Sequence, residues 1–265
     1  MPYDIDSLRF FPGAYHLLVR LLQNAVRWIE TSTDIDGIRG ATLDDQVAAL
    51  SRGWKPTRRW ARAVQAVLYL ADQLMVPLRA GESLQLELAD RTHAPDYHFI
   101  EVCIRRRGSW PVHALYHYNG TTGMYPVALY QLYTMPGGAR DILLSGATGH
   151  VPPVTKFYVP DMSRSGRLDV RSLHRMLTWC LRCGGPGIGM AEAELRHRGF
   201  GRPMAIRKAV AGHLIEHRGI HEAARVLGLR TRSATMYYRS PRRSAAVNTY
   251  RALWRTIRIH KKEGP

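Results

Sequence analysis

The 265-residue sequence predicts a mainly α fold with a small antiparallel sheet, an α+β protein, and three observations carry that expectation. Several long stretches repeat apolar residues three and four apart, the spacing of one helix face. Between them lie runs too short for helices, bounded by Gly, Pro and Asp, the punctuation of strands and turns. No run of 18 or more apolar residues occurs, so the helices are those of a globular core and not membrane spans.

Residues 13–31 place Leu18, Leu21, Leu22, Ala25, Trp28 and Ile29 on one face, which predicts a core helix. Turn residues from Asp34 to Gly40 end it. Thr42 followed by Asp44 and Asp45 then predicts an N-cap and an acidic first turn, opening a short helix to about Ser51. Pro56 suits the first turn of the next helix, whose apolar stripe is Trp60, Val64, Val67, Leu68, Ala71 and Leu74, until Pro77. Residues 80–96 change character: Leu84, Leu86 and Leu88 alternate before polar residues and a proline, which reads as a linker with room for a short strand.

From Tyr97, YHFIEVCIRR predicts a helix, followed by a second apolar run, WPVHALYHYN. Residues 140–160 predict two or three short strands around Gly146-Ala-Thr-Gly149 and Pro152-Pro153. Asp169 to Cys183 is an amphipathic helix carrying Leu173, Met176, Leu177 and Cys180, ending at Gly184-Gly185-Pro186. The glycines through Gly189 lack the preceding strand of a phosphate loop and read as a connection. Residues 244–260 form a last helix with Ala246, Tyr250, Leu253, Trp254 and Ile257. The length accommodates two modest domains, divided here as 1–83, a linker at 84–96, and 97–265.

Charge narrows the class of partner. Residues 201–263 hold 15 Lys+Arg against 3 Asp+Glu, +12 of the chain's +17, while residues 1–50 hold 4 against 7. Only five of the 38 cations are Lys, and Arg is the better bidentate phosphate ligand. A second group, Lys55, Arg58, Arg59 and Arg62, gathers at a predicted helix start, where the macrodipole already disfavours cations and a phosphate would relieve them. A purely structural role without nucleic acid is disfavoured by this balance. Cys103, Cys180 and Cys183 are too few for a disulfide framework, which fits a reducing cytosol, and the lone Cys180-Leu-Arg-Cys183 reads as packed thiols and not as a zinc site. The N-terminus, MPYDIDSLRF, has no basic start followed by an apolar core, so no secretory signal is expected.

The most informative stretch runs from Met204 to Pro241. After Pro203 a helix carries Arg207, Ala211, His213 and Leu214; a second closes on Leu227-Gly228; a third segment presents Thr235 and Tyr238. In this spacing the stretch resembles the C-terminal half of the catalytic domain of tyrosine recombinases, the phage integrase family. Thr122-Gly-Met-Tyr-Pro-Val-Ala-Leu129 resembles that family's first catalytic box. The resemblance implies a helical core-binding-like domain over 1–83 and a recombinase-like catalytic domain over 97–265, whose tail helix packs on a neighbouring protomer or on its own domain. It further implies Tyr238 as nucleophile, Arg207 as a phosphate clamp and Lys156 as general acid. Lys55, Arg58, Arg59, Arg62, Lys208, Arg230, Arg232 and Arg239 are the expected DNA contacts.

Such chemistry stores the bond energy in a 3′-phosphotyrosyl intermediate, so no cofactor and no metal is expected. The expected partners are double-stranded DNA and either further copies of the chain or another recombinase, with no membrane, in the nucleoid region of the cytoplasm. Three positions depart from the family pattern. Tyr125 stands where the family has its first phosphate-binding arginine, Met204 where it has histidine, and Leu229 where it has histidine or tryptophan. Met and Leu cannot donate strong hydrogen bonds to phosphate, and a phenol is neutral near pH 7. Each lost donor costs on the order of 100-fold in rate, so the expected function is site-specific recombination of a mobile element by an active or a catalytically impaired protein. The competing expectation is a non-catalytic helix-turn-helix DNA-binding protein formed by HEAARVLGLRTRSATMYYR, a reading that leaves RKAVAGHL and the TGMYPVAL box unexplained.

Overall fold

The structure is a computed structural model that describes residues 13–75, 77–84, 91–94, 99–104, 112–117, 127–145 and 170–229. It is mainly helical, with two small antiparallel sheets among the described residues. Helix α1, Ala14–Ser32, buries Leu18, Leu21, Leu22, Ala25 and Ile29 as their spacing predicts. A two-residue hairpin follows, β1 Asp34–Ile35 and β2 Ile38–Arg39. Its Asp36-Gly37 turn has both φ angles positive, the geometry that matches strand twist, and the Gly37 N–H donates to Asp34 Oδ1 at 2.8 Å.

Helix α2, Leu43–Ser51, starts on the expected cap: Thr42 Oγ1 accepts from Asp45 N–H while the Asp45 carboxylate accepts from Thr42 N–H. Helix α3, Arg58–Met75, starts later than Pro56 suggests, because Thr57 is the residue whose hydroxyl accepts the Trp60 N–H. It is also buried well beyond one stripe: from Ala63 to Leu74 every residue except Asp72 is buried, Gln65, Tyr69 and Gln73 included. Five other helices explain this. Helix α3 packs against α1, α5 (Val127–Thr134), α6 (Ala139–Ser145), α7 (Val170–Gly184) and α9 (Pro203–Leu227), so it is the axis of the bundle.

Helices on both sides of residues 84–96 share one apolar core, which joins Leu22, Val67, Leu129, Leu143, Leu177 and Ile206. Close approach of α7 to α1 requires Gly184, since a Cβ there would run into the Leu21 carbonyl. Cys180 is buried in the same layer and its thiol donates to Ala66 O at 3.2 Å.

Two expectations are corrected. The helix expected from Tyr97 onward is strand β4, Phe99–Ile104, the centre of a three-stranded antiparallel sheet with β3 (Arg91–Ala94) and β5 (Val112–His117). The register pairs Arg91 with Val102 and Phe99 with His117. Ile100, Val102 and Ile104 are β-branched at a period of two, which suits a pleated strand better than a helix. Strand β3 lies within the stretch expected as a linker. The strands expected from residue 140 begin instead as helix α6, where Ala139 and Leu143, four apart, are both buried and Asp141 Oδ2 accepts the Gly137 N–H at 3.0 Å. The remainder of 140–160 and the expected tail helix at 244–260 lie outside the described residues.

The last part of the chain passes through a 3₁₀ turn, Pro186–Ile188, and α8, Glu192–His197, into α9. Helix α9 opens with Pro203 at its first position and is broken at Gly219, where φ is 83° and ψ 167°, before closing on Gly228 in the left-handed conformation. It is therefore two helices, as the sequence pattern predicts, with the second ending at Leu227.

Candidate nucleic-acid interface

Arg207 sits in the second turn of α9 and is 1% exposed. A guanidinium there needs acceptors, since an unsatisfied buried charge costs several kcal/mol. It finds them in three separate segments. Nη2 donates to Leu227 O at 2.8 Å, Nη1 donates to Pro77 O, and Glu82 Oε2 lies 4.0 Å from Nη1. Glu82 belongs to α4, Ala80–Ser83, and also accepts from the Arg79 N–H at 2.8 Å.

The Leu227 bond carries a topological requirement. Twenty residues of straight helix span about 30 Å, so a 2.8 Å contact between Arg207 and Leu227 needs the chain to fold back in between. Gly219 supplies the reversal in a region of φ/ψ that is essentially restricted to glycine. Arg207 thus satisfies a carbonyl that the helix end leaves without an intrahelical partner. The Leu-Gly pair and the Arg-bearing helix, separate motifs in the sequence, meet at this hydrogen bond. The ion pair of Arg207 is with Glu82, while Glu222 pairs with Arg225 at 2.6 Å.

Met204, one turn before Arg207, is 47% exposed, and Lys208 is half-buried. Leu229 donates its backbone N–H to Ala224 O at 2.8 Å. Tyr238, Lys156, Arg230, Arg232, Arg239, Thr235 and Tyr125 lie outside the described residues.

The cations at the start of α3 have the opposite setting. Lys55, Arg59 and Arg62 are exposed, and Arg58 is half-buried. Arg58 and Arg62 are four residues apart on one helix face, an arrangement that repels like charges, at the end of the helix where the dipole is already positive. Beside them Trp28, Trp54, Lys55, Arg59 and Trp60 line a pocket of about 280 Å³, which Asp34 also borders. The Arg59 guanidinium stands 5.8 Å from the Trp28 ring centre. Trp28 meets Trp179 edge-on at 5.1 Å and Trp54 meets Trp60 edge-on at 5.4 Å, while Trp60 Nε1 donates to Gln46 Oε1 at 2.8 Å, so the aromatic wall is held rigidly. The sequence places the cations at one helix start with Trp54 and Trp60 next to them, but does not reveal Trp28 of α1, which packing brings beside Arg59.

A third group joins α1 to α9. His213 stacks on Tyr15 at 4.0 Å, with His16 and His217 beside it. Burial, with the His217 and His16 imidazoles as further causes, pushes the His213 imidazole down to about 4. Burial pushes the Tyr15 phenol up to about 12.

No protein-family model and no curated protein matches the sequence. Among solved structures, the XerH site-specific recombinase bound to its difH substrate in a pre-cleavage complex is similar, with 12% sequence identity and a TM-score of 0.47 over 87% of this chain. The match covers 50% of that recombinase, so this chain spans about half its length. No described helix is long and apolar enough to cross a membrane.

Proposed function

We propose that this chain is a double-stranded-DNA-binding protein with a tyrosine-recombinase-like plan, serving site-specific recombination of a mobile element without cleaving strands itself. The observation that carries the reading is the contrast in cation placement. Lys55, Arg59 and Arg62 reach the surface at a helix N-terminus where phosphates would relieve them, whereas Arg207 is 1% exposed and bonded to Leu227 O, Pro77 O and Glu82. A phosphate clamp must reach solvent to meet DNA, and this one is committed to the core. Tyr125, Met204 and Leu229 stand at the other phosphate-binding positions of the family pattern and supply no cation. In this reading the cations at the α3 start, carried on the helical core that residues on both sides of 84–96 share, form the DNA-facing surface. Lys208, Arg230, Arg232 and Arg239 add phosphate contacts, and copies of the chain or an active recombinase assemble on the same DNA.

The test combines two measurements on nicked DNA from the ends of the element that encodes the chain. Affinity is expected to fall steeply with salt, as release of counterions from phosphates requires. No covalent adduct is expected with either the wild type or Tyr238→Phe. A protease-sensitive adduct that disappears in Tyr238→Phe would overturn the non-cleaving part and make Tyr238 the nucleophile. Absence of binding at low salt would overturn the whole.

A helix-turn-helix reading is favoured by one observation. Residues 220–227 form a separate short helix after Gly219, with Ala223, Ala224 and Leu227 buried and Gly228 turning the chain in the left-handed conformation. It predicts that substitutions at Arg230 and Arg232 abolish binding while those at Lys55, Arg59 and Arg62 leave it unchanged.

A further inference from the structure

His16 on α1 and His213 and His217 on α9 each offer an imidazole nitrogen within 4.8 Å of the other two, a cluster that the DNA-binding reading does not use. His213 and His217 are four residues apart, which places both on one face of α9, and two histidines at that spacing on a helix are a recurring zinc-binding arrangement. His16 completes the group from the facing helix. Its ring stands 5.3 Å from that of His213 and nearly perpendicular to it, and the His213 and His217 rings lie 4.3 Å apart at 51°. Tyr15 stacks on His213 at 4.0 Å, so the central imidazole is packed against α1.

We propose that His16, His213 and His217 form a three-histidine site for a divalent zinc-type cation that joins α1 to α9. Three imidazole nitrogens suit zinc and its neighbours in the first transition row, whereas magnesium and calcium prefer oxygen ligands. Zinc–nitrogen bonds of about 2.0–2.1 Å place tetrahedral ligand atoms about 3.4 Å apart, inside the 4.8 Å within which the three now lie. His16 and His217 are both exposed, so rotation of their side chains can close that gap without disturbing the core. Water takes the fourth position. The Cys180-Cys183 pair does not compete as a site: Cys180 is buried and bonded to Ala66 O.

The consequence is mechanical. A metal here pins the first half of α9, which carries Arg207, to α1, and a ligand that binds only the folded chain raises its stability by mass action.

The experiment uses the full chain without a polyhistidine tag, stripped with a chelator and titrated calorimetrically with zinc chloride. One zinc per chain is expected, with a rise in Tm that magnesium does not reproduce, and cobalt is expected to give the intense visible bands of a tetrahedral site. His16→Ala and His217→Ala, at exposed positions, are expected to weaken zinc binding by ~10-fold or more each. His197→Ala, on α8 and outside the cluster, is expected to leave it unchanged. Absence of saturable zinc binding, or stoichiometric binding that survives both His16→Ala and His217→Ala, would overturn the site.

Discussion

Arg207 and the cations of the α3 start are the same chemistry in opposite surroundings. Arg207 is enclosed by α9, α4 and the chain after α3, and its acceptors are internal. Lys55, Arg59 and Arg62 reach solvent at a helix end whose dipole repels them. The difference separates two uses of a positive charge. An enclosed guanidinium with carbonyl and carboxylate partners fixes the geometry of the fold, and removing it leaves those partners unsatisfied. Surface cations contribute little to stability, since they are solvated, but they are available to a polyanion. A motif residue recognised by its spacing is therefore not by that fact a residue that meets the ligand.

The comparison breaks or sharpens most strongly at Arg207 itself. Arg207→Ala is expected to lower unfolding free energy in a denaturant titration by about 3–5 kcal/mol, the cost of orphaning a buried ionic partner. The folded fraction should still bind DNA. A variant of unchanged stability that has lost DNA binding would reverse the assignment of Arg207. Gly219→Ala comes next, at about 1–3 kcal/mol, because φ of 83° with ψ of 167° strains any residue with a Cβ even though the space around it is open. Its effect should not add fully to that of Arg207→Ala, since the glycine serves to bring Leu227 to the arginine.

On the exposed side, the combined Lys55→Gln, Arg59→Gln and Arg62→Gln variant is expected to stay within about 0.5 kcal/mol of wild-type stability per site. Its log affinity against log salt should become shallower by about 3, close to one unit for each phosphate that the variant no longer neutralises. An unchanged slope would remove this face from the interface. The smallest effect is a pH dependence at the α2 cap. Hydrogen bonds from the Thr42 hydroxyl and backbone N–H hold the Asp45 carboxyl below the usual carboxylate range. A depressed folded value means the contribution is present above the unfolded pKa of about 4 and is lost as pH falls through the lower folded value. Asp45→Asn should flatten Tm against pH in that acid window, and only slightly, because Asp45 is exposed.

How far the fold is legible depends on whether the signal is local. Helices α1, α2, α3 and α7 follow from periodicity and caps, since Leu18 to Ile29 or Thr42 to Asp45 interact with neighbours three or four residues away. The stretch from Phe99 to Ile104 misleads because its apolar residues are dense enough to satisfy either period; the β-branched Ile100, Val102 and Ile104 favour the strand, and pairing with β3 and β5 fixes it. Residues 139–145 mislead for a related reason: Leu143 and Leu144 suit a strand until packing of α6 on α3 and α5 decides otherwise.

At the site the same division holds. The amino-acid order alone determined that α9 would break before Leu227-Gly228, that Arg207 would sit one turn after Met204, and that cations would gather around Trp60, because glycine conformational freedom, helix pitch and charge are properties of short segments. Tertiary structure alone decided that Arg207 would be buried against the distant Glu82, that Trp28 would stand beside Arg59, and that His16 would meet His213 and His217. Those neighbours come from different helices, and which faces of two helices meet is set by the packing of the whole core, a quantity that no local window of residues contains.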